Sequence, residues 1–360
     1  MFPEAVRMVS RTLLLPCAGK SSRYPGVRPK WMLTLPDGAL ALQRAAASVA
    51  ADDYDRLVIA VRADHDEKYG CRALLSRAFA TADVLVLPHD TRGPADTVQE
   101  MIRRAGVSGS FAVKDADSFF APSPLPAGSF VTLCDVRKLP QMSNVGAKSF
   151  AVLNEQGLVV QMVEKSLVSN FVSIGLYGAA DAGRYLDAFA AVARDCPAGE
   201  VFVSHILNRL ARDGDPVRAL HVDDFIDVGT LEDWRRFVRA HGTLVCDLDG
   251  VVFENHSRFF PPYWDEADVP IAANVAELKR WQARGAQLIF MTARPEALRA
   301  RVEATLVGLG LKPHALIMDC LHARRFLVND FAGSNPHPSA VAINLPRNGG
   351  GLADRLAEWA

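Results

Sequence analysis

The sequence predicts an α/β protein of two domains, residues 1–240 and 241–360. Three observations predict it. The 360-residue length exceeds the roughly 250–300 residues at which single cores stop growing. Short apolar runs alternate with helix-like stretches as far as Arg239, and the same kind of alternation starts afresh at Thr243.

The elements follow in order. Leu13-Leu14-Leu15 is an apolar run opening into a small-residue segment, and reads as a buried strand feeding a loop. Leu40 to Ala50, rich in Ala and Leu, reads as a helix. Leu57–Val61 and Val84–Leu87 are further buried strands, and Phe111–Val113 runs straight into Asp115 and Asp117. Strands near Ser129–Val136 and Ser149–Leu153 follow, with a turn at Asn154–Gly157. Val201 to Ala211 places Val203, Ile206, Leu207 and Leu210 on one helical face. Strands alternating with helices suggest a parallel sheet. Leu231–Val238 is a helix, and Arg239–Gly242 marks the boundary. Beyond it, Thr243–Cys246 reads as a strand and Asn274–Arg284 as a helix with Val275, Leu278 and Trp281 on one face. Gln287–Met291 is the next strand. Arg325–Val328 and Ala340–Asn344 read as later strands, and Asn348-Gly349-Gly350-Gly351 as a flexible hinge before a short helix.

Composition narrows the function classes. Hydrophobic residues make up 49% and charged residues 22%, which excludes disorder over most of the length. The net charge of -1 provides no global basic field for nucleic acid, while leaving room for a local basic pocket. No apolar run approaches the roughly 18–20 residues that span a bilayer, and Met1 to Arg11 lacks the apolar stretch of a signal peptide. Cys17, Cys71, Cys134, Cys196, Cys246 and Cys320 show neither a C-x-x-C pair nor zinc spacing, so reduced thiols and a cytoplasmic location are expected. His205, His221 and His256 show no ligand spacing.

The segment Leu15-Pro16-Cys17-Ala18-Gly19-Lys20-Ser21-Ser22-Arg23, followed by Pro29-Lys30, carries the most chemistry of the first domain. Small residues let backbone N–H groups approach phosphate oxygens. Arg23 and Lys30 can neutralise a triphosphate. This segment resembles the signature of the nucleotidyltransferases that activate sugar phosphates and related phosphate esters, Ala-Gly-x-Gly-Ser-Arg and then Pro-Lys. Ser21 stands where many members have the second glycine.

The resemblance continues in the family's order over residues 11–240. It implies a Rossmann-like domain with a mixed sheet flanked by helices. Ala18, Gly19, Lys20, Ser21 and Ser22 would cradle the nucleotide, with Arg23 and Lys30 in catalytic positions. Thr91-Arg92-Gly93-Pro94-Ala95-Asp96-Thr97 looks like the base-reading loop, with Gly93 and Ala95 against the nucleotide. Lys114-Asp115-Ala116-Asp117-Ser118-Phe119 resembles the segment supplying a magnesium ligand, Asp117 matching better than its neighbour Asp115. Val163-Glu164-Lys165 resembles the pair that meets the acceptor's phosphate, and Ser173–Tyr177 the strand after it. Phe225-Ile226-Asp227-Val228-Gly229-Thr230 resembles the late motif, with Asp227 as the second ligand. A Mg²⁺ ion, an NTP and a phosphate-ester acceptor, by family default a sugar phosphate, are thereby implied. The chemistry is consistent: a hard cation held by two carboxylates polarises the α-phosphate and neutralises the leaving pyrophosphate. Asp227 could alternatively cap a helix, although Thr230 is better placed. Asp115 and Asp117 could instead belong to a strand-end turn, and Glu164 could be an ion-pair partner.

In the second domain, Val245-Cys246-Asp247-Leu248-Asp249-Gly250 places two carboxylates at a strand end, on one side of an extended chain. This resembles the Asp-x-Asp-Gly signature of the haloacid dehalogenase (HAD) superfamily, a Rossmannoid fold, here with little or no cap. The resemblance covers about residues 243–346. It implies Asp247 as nucleophile, Asp249 as acid and base, Thr292 on a phosphoryl oxygen, and Asp247, Asp249 and Asp330 around magnesium. Lys312, Arg324 and Arg325 are all candidates for the remaining cation. Phe259–Trp264 reads as a substrate flap, an interface or a packed loop. Together the two resemblances imply a bifunctional enzyme, a nucleotidyltransferase with a phosphomonoester hydrolase, in capsule or surface-polysaccharide precursor synthesis. The rivals are a transferase with a non-catalytic HAD module, and a hydrolase with a nucleotide-sensing domain. A homo-oligomer is compatible with the sequence.

Overall fold

The computed structural model describes residues 11–24, 26–139, 142, 145–195, 199–239, 241–256, 264, 266–330 and 340–357. Its contacts divide the chain into two compact units, Met1–Trp234 and Arg235–Ala360. The division falls inside the helix Leu231–Arg239. Among the described residues no helix is long and apolar enough to cross a membrane.

The first unit is built on β1 (Arg11–Cys17), β2 (Arg56–Arg62), β3 (Asp83–Leu87), β4 (Ser110–Lys114), β6 (Ser129–Asp135), β9 (Phe171–Ala179) and β10 (Val217–His221), in the order β10-β6-β9-β4-β1-β2-β3. A hairpin of β7 (Ser149–Leu153) and β8 (Val159–Glu164) joins through β9. Two-residue strands β5 (Ser118–Phe119) and β11 (Ile226–Asp227) pair separately. The sheet is mixed, as the nucleotidyltransferase resemblance implies. The wholly parallel sheet suggested by strand–helix alternation is not formed, because β9 runs antiparallel between β4 and β6.

Central β1 shows why its leucines form a strand. Leu13, Leu14 and Leu15 are all fully buried, and alternation sends them to opposite faces. Leu14 packs with Val58, Ala60, Val113 and Ile206 on one side. Leu13 and Leu15 pack with Trp31, Leu42 and Ile59 on the other. Helix Val203–Arg212 covers the first face with the expected apolar stripe. The predicted Leu40–Ala50 helix is shorter, Ala41–Ala46. Helix Pro94–Ala105 begins inside the segment read from sequence as a loop, with Pro94 in the first turn, where its missing N–H costs nothing.

The second unit has a parallel sheet β12-β13-β14, with β12 Thr243–Cys246 extended by one residue to Asp247, β13 at Gln287–Met291 and β14 at Ala315–Ile317. Leu248, Phe253, Leu278, Leu288, Phe290 and Leu306 fill its core. Helix Ala272–Ala283 contributes the predicted face of Val275, Leu278 and Trp281. Two expected strands are absent: Arg325–Val328 and Ala340–Asn344 have no ladder partner. Phe326 and Val328 are 79% and 90% exposed, so the apolar run is not the buried strand its composition suggests. Nor is Asn348–Gly351 a free hinge. Asn348 N–H donates to the Gly250 carbonyl, and fully buried Asn274 donates to the Gly349 carbonyl at 2.9 Å and accepts from Leu352 N–H. Residues 259–263 of the aromatic segment, and Cys196, lie outside the described residues. The other five cysteines are free thiols, four of them buried.

Candidate functional site

A cavity of about 670 Å³ opens in the first unit along the loop after β1. Ala18, Gly19, Lys20, Ser21, Ser22, Arg23, Lys30, Gly93, Asp117 and Asp227 all line it, as do Asp115 and Glu164. Stretches far apart in sequence therefore meet in one place.

Ser21 explains the departure from glycine in its loop. Its φ is 51°, a left-handed conformation that glycine adopts freely and other residues adopt at a cost of about 1–2 kcal/mol. Its hydroxyl accepts from the Lys30 N–H at 3.4 Å, tying the loop after β1 to the Pro-Lys segment. Tyr24 ties the same loop to the late motif, donating to the carbonyls of Val228 and Thr230. Nothing in the local sequence pattern marked Tyr24 for that task.

The acidic centre is assembled by the smallest strand pair. β5 and β11 pair antiparallel with Ser118 opposite Asp227, and Val228 N–H donates to the Asp117 carbonyl at 2.9 Å. That register brings Asp117 and Asp227 together. A Cβ added at Gly229 would meet Asp227 Oδ1 at 2.9 Å, Asp117 Oδ2 at 3.2 Å and Arg23 Nη1 at 3.5 Å. The two carboxylates thus converge on a cradle that only glycine leaves open, a donor set that fits a hard divalent cation completed by phosphate oxygens. Among the described residues no group of three or more His, Cys, Asp or Glu side chains could hold a metal by itself. Asp227 is not a helix cap: Thr230 Oγ accepts from Asp233 N–H at 3.1 Å and does that work.

The charges are arranged in pairs. Lys30 Nζ lies 2.5 Å from Asp117 Oδ2, and Lys148 Nζ contacts Asp227 Oδ2. Burial pushes the Asp117 carboxyl upward, but Lys30, Lys148 and Arg23 together outweigh it and hold the group below the ordinary carboxylate range. Asp115 goes the other way, raised by burial and by the charge on Asp117. Behind them Lys114 is fully buried and donates to the Asp115 and Ser118 carbonyls and the Ser118 hydroxyl, each at 2.7–2.8 Å. Desolvation pushes its ammonium down to about 8.

Two expected positions differ. Ala95 is fully buried and its N–H donates to the Val201 carbonyl, so it offers no donor to a ligand. The loop instead presents Thr91, Arg92, Gly93 and Thr97. Gly93 allows a close approach there: a Cβ would meet Glu200 Cγ and the Val201 carbonyl at 2.8 Å. Lys165 does not line the cavity either. Its Nζ sits 5.1 Å from the centre of the Phe202 ring, while Lys148, absent from the sequence reading, reaches inward. Glu164 accepts the hydroxyls of Ser149 and Ser204. Arg62 also lines the cavity, and no sequence pattern singled it out.

In the second unit a cavity of about 540 Å³ is lined by Asp247, Asp249, Arg294, Arg324, Arg325 and Arg347 among others. Asp247 ends β12, and burial raises its carboxyl against the opposing pull of Arg325. Arg325 Nη2 lies 3.2 Å from Asp247 Oδ1. Of the three candidate cations, Arg324 and Arg325 line the cavity and Lys312 does not. Asp249 is clamped: Arg294, itself 4% exposed, donates to both its oxygens at 2.7–3.2 Å and pairs with Asp268 at 2.7 Å. The Thr292 hydroxyl donates to Asp249 at 3.0 Å instead of facing the cavity as expected. Asp330 is exposed and does not line the cavity. Among the described residues that line this cavity, Asp330 therefore does not join Asp247 and Asp249.

No protein-family model matches this chain, and no curated protein sequence matches it. Solved structures do. A nucleoside-diphosphate-sugar pyrophosphorylase from Vibrio cholerae RC9 aligns at TM-score 0.55 and 23% identity, over 63% of this chain and 99% of that one. A putative glucose-1-phosphate thymidylyltransferase from Bacillus anthracis aligns at 0.51 and 15%, over 63% and 93%. An inositol-1-phosphate CTP transferase from T. maritima aligns at 0.50 and 15%, over 63% and 91%. At these identities the likeness is one of fold.

Proposed function

We propose that the first unit transfers a nucleoside monophosphate from an NTP to a phosphate ester, releasing pyrophosphate. The observation that carries this reading is the convergence of Asp117 and Asp227 over Gly229, in a cavity that also holds Arg23, Lys30 and the loop after β1. The names of the three similar structures, each a nucleotide transferase or pyrophosphorylase of a phosphorylated small molecule, support it. A magnesium ion between the two carboxylates would supply polarisation of the α-phosphate and neutralisation of the leaving group.

The chain's own residues bind and align. The backbone N–H groups of Ala18–Ser22 face the triphosphate, and Arg23 and Lys30 balance its charge. An oxygen of the acceptor phosphate forms the new bond to the α-phosphorus as the bond to the pyrophosphate oxygen breaks. The acceptor is already an anion, so no protein nucleophile is required and positioning supplies most of the acceleration. The nucleotide base is read by the wall of Thr91–Thr97, and the acceptor, a sugar phosphate by preference, enters beside Glu164. Synthesis of a nucleotide-activated precursor for a surface polysaccharide is part of this proposal.

For the second unit the reading is phosphomonoester hydrolysis with Asp247 as nucleophile, favoured by its place at the end of β12 in a cavity carrying Arg324 and Arg325. Proton transfer through Asp249 then requires its bonds to Arg294 and Thr292 to part.

The test is pyrophosphate release by the purified protein with Mg²⁺, each NTP against a pooled panel of phosphate esters. Release with one NTP, lost in Lys30→Ala, is expected. Silence across the panel together with robust hydrolysis of a generic phosphate ester would replace this reading with a hydrolase carrying a nucleotide-sensing unit. Phosphatase turnover unchanged in Asp247→Asn would remove the second reading.

A further inference from the structure

In the cavity of the first unit, two ammonium groups stand against the carboxylates that a divalent cation would use. Lys30, from the 3-10 turn Lys30–Met32, lies 2.5 Å from Asp117 Oδ2. Lys148, between the 3-10 turn Val145–Ala147 and β7, contacts Asp227 Oδ2. All four side chains are largely shielded, the lysines 25% and 21% exposed and the aspartates 13% and 14%. In such a setting each charge depends on its partner more than on water. Asp117 Oδ2 is both the atom that Lys30 engages and one of the two oxygens facing the Gly229 cradle, and the other, Asp227 Oδ1, belongs to the carboxylate that Lys148 engages.

Lys148 owes its place to the hairpin. Lys165 N–H donates to the Lys148 carbonyl at 2.9 Å, so the two lysines face each other where β8 ends and β7 begins. Lys165 is in the left-handed region, with φ of 55°, and its ammonium rests on Phe202. Lys148 is the one delivered to the acidic centre.

We propose that Lys148 is a displaceable counter-ion: with Lys30 it neutralises the carboxylate pair in the ligand-free protein, and a divalent cation takes its place most readily when a polyphosphate arrives to accept the released ammonium groups. A cation arriving alone frees ammonium groups beside Arg23, which lies 3.7 Å from Asp117 Oδ2, and like-charge repulsion opposes it. A cation arriving with a polyanion supplies phosphate oxygens for those groups. The proposal rests on the nucleotidyl-transfer reading only for the identity of the polyphosphate.

The test measures Mn²⁺ binding to the full chain by water-proton relaxation enhancement, which reports manganese slowed by the protein, with no nucleotide present. Lys148→Met is expected to bind Mn²⁺ alone on the order of tenfold more tightly than the wild type. Lys148→Arg, which keeps the charge, should stay close to the wild type, and Asp227→Asn should abolish the binding. Inorganic tripolyphosphate should raise the bound fraction more in the wild type than in Lys148→Met. Circular dichroism confirms that each variant is folded. Mn²⁺ affinity of folded Lys148→Met within twofold of the wild type, or binding indifferent to Asp227→Asn, would overturn the proposal. No turnover enters this assay, so absence of pyrophosphate release would sink the functional reading and leave this result to stand separately.

Discussion

Replacing Gly229 by alanine adds one methyl group at the point on which the two carboxylates converge. The backbone tolerates it, since Gly229 is not among the residues of positive φ, and the lost freedom of the unfolded chain favours alanine by about 0.4–1 kcal/mol. The side-chain contacts do not tolerate it. The new Cβ would stand 2.9 Å from Asp227 Oδ1, inside the roughly 3.3 Å at which carbon and oxygen normally meet. It would also sit 3.2 Å from Asp117 Oδ2, so relief for one carboxylate crowds the other. Asp227 Oδ1 is further held by the Gly229 N–H at 2.9 Å, so moving it breaks that bond. Magnesium demands ligands at about 2.0–2.1 Å in near-octahedral geometry, and displacements of a few tenths of an ångström are felt. The expected result is a 10–100-fold loss of kcat/KM, about 1.4–2.7 kcal/mol, a higher Mg²⁺ requirement, and a Tm within about 4 °C of the wild type. Pyrophosphate release titrated with Mg²⁺ and a thermal melt measure all three. Wild-type turnover with unchanged Mg²⁺ dependence would refute the argument that catalysis takes place over Gly229.

Three further outcomes are expected. Ser21→Ala keeps the left-handed strain and loses the bond to Lys30, whereas Ser21→Gly relieves the strain. Both should raise the KM for NTP several-fold, while Ser21→Gly melts higher than Ser21→Ala by about 2–4 °C; equal KM values would remove the role of the hydroxyl. Gly178→Ala would place a Cβ 2.0 Å from Cε1 of fully buried Phe130, so destabilisation of about 1–3 kcal/mol or more is expected in urea unfolding, and an unchanged midpoint would contradict the packing. Lys114 titrates near 8 in the folded chain and at its ordinary 10.5 in the unfolded one. Between those values the unfolded chain binds more protons, so this group makes stability rise with pH. The stability difference between wild type and Lys114→Met should therefore move toward the wild type from pH 8 to pH 10. A constant difference would mean that the lysine stays protonated.

In the second unit, an arginine buried on two aspartates changes what the Asp-x-Asp pair can do. The sequence places Asp247 and Asp249 on the same side of a strand end, and the alternation of an extended chain suffices for that. It carries no sign that Arg294 donates to both oxygens of Asp249 while a second buried acid, Asp268, balances the guanidinium. Asp247 and Asp249 are thus electrostatically unlike, one beside the partly exposed Arg325 and the other locked in a shielded network.

What the sequence determined by itself was local. The β1 leucines, the small-residue loop with Arg23 and Lys30, the acids after β4 and the pair at the end of β12 each follow from side-chain periodicity, backbone sterics or a short motif. Those signals act within about a dozen residues, so one stretch of chain reveals them. Tertiary structure decided which distant stretches meet. The insertion of β9 antiparallel between β4 and β6 made the sheet mixed. The two-residue register of β5 against β11 set Asp117 beside Asp227, and one residue of slip would turn the side chains to opposite faces. The hairpin at Lys148 and Lys165 sent the unexpected lysine inward, and the exposed run before Asp330 left that aspartate out of the lining of the cavity that holds Asp247. Pairings of this kind depend on the fit between segments distant in the chain, and no local preference of either segment specifies its partner.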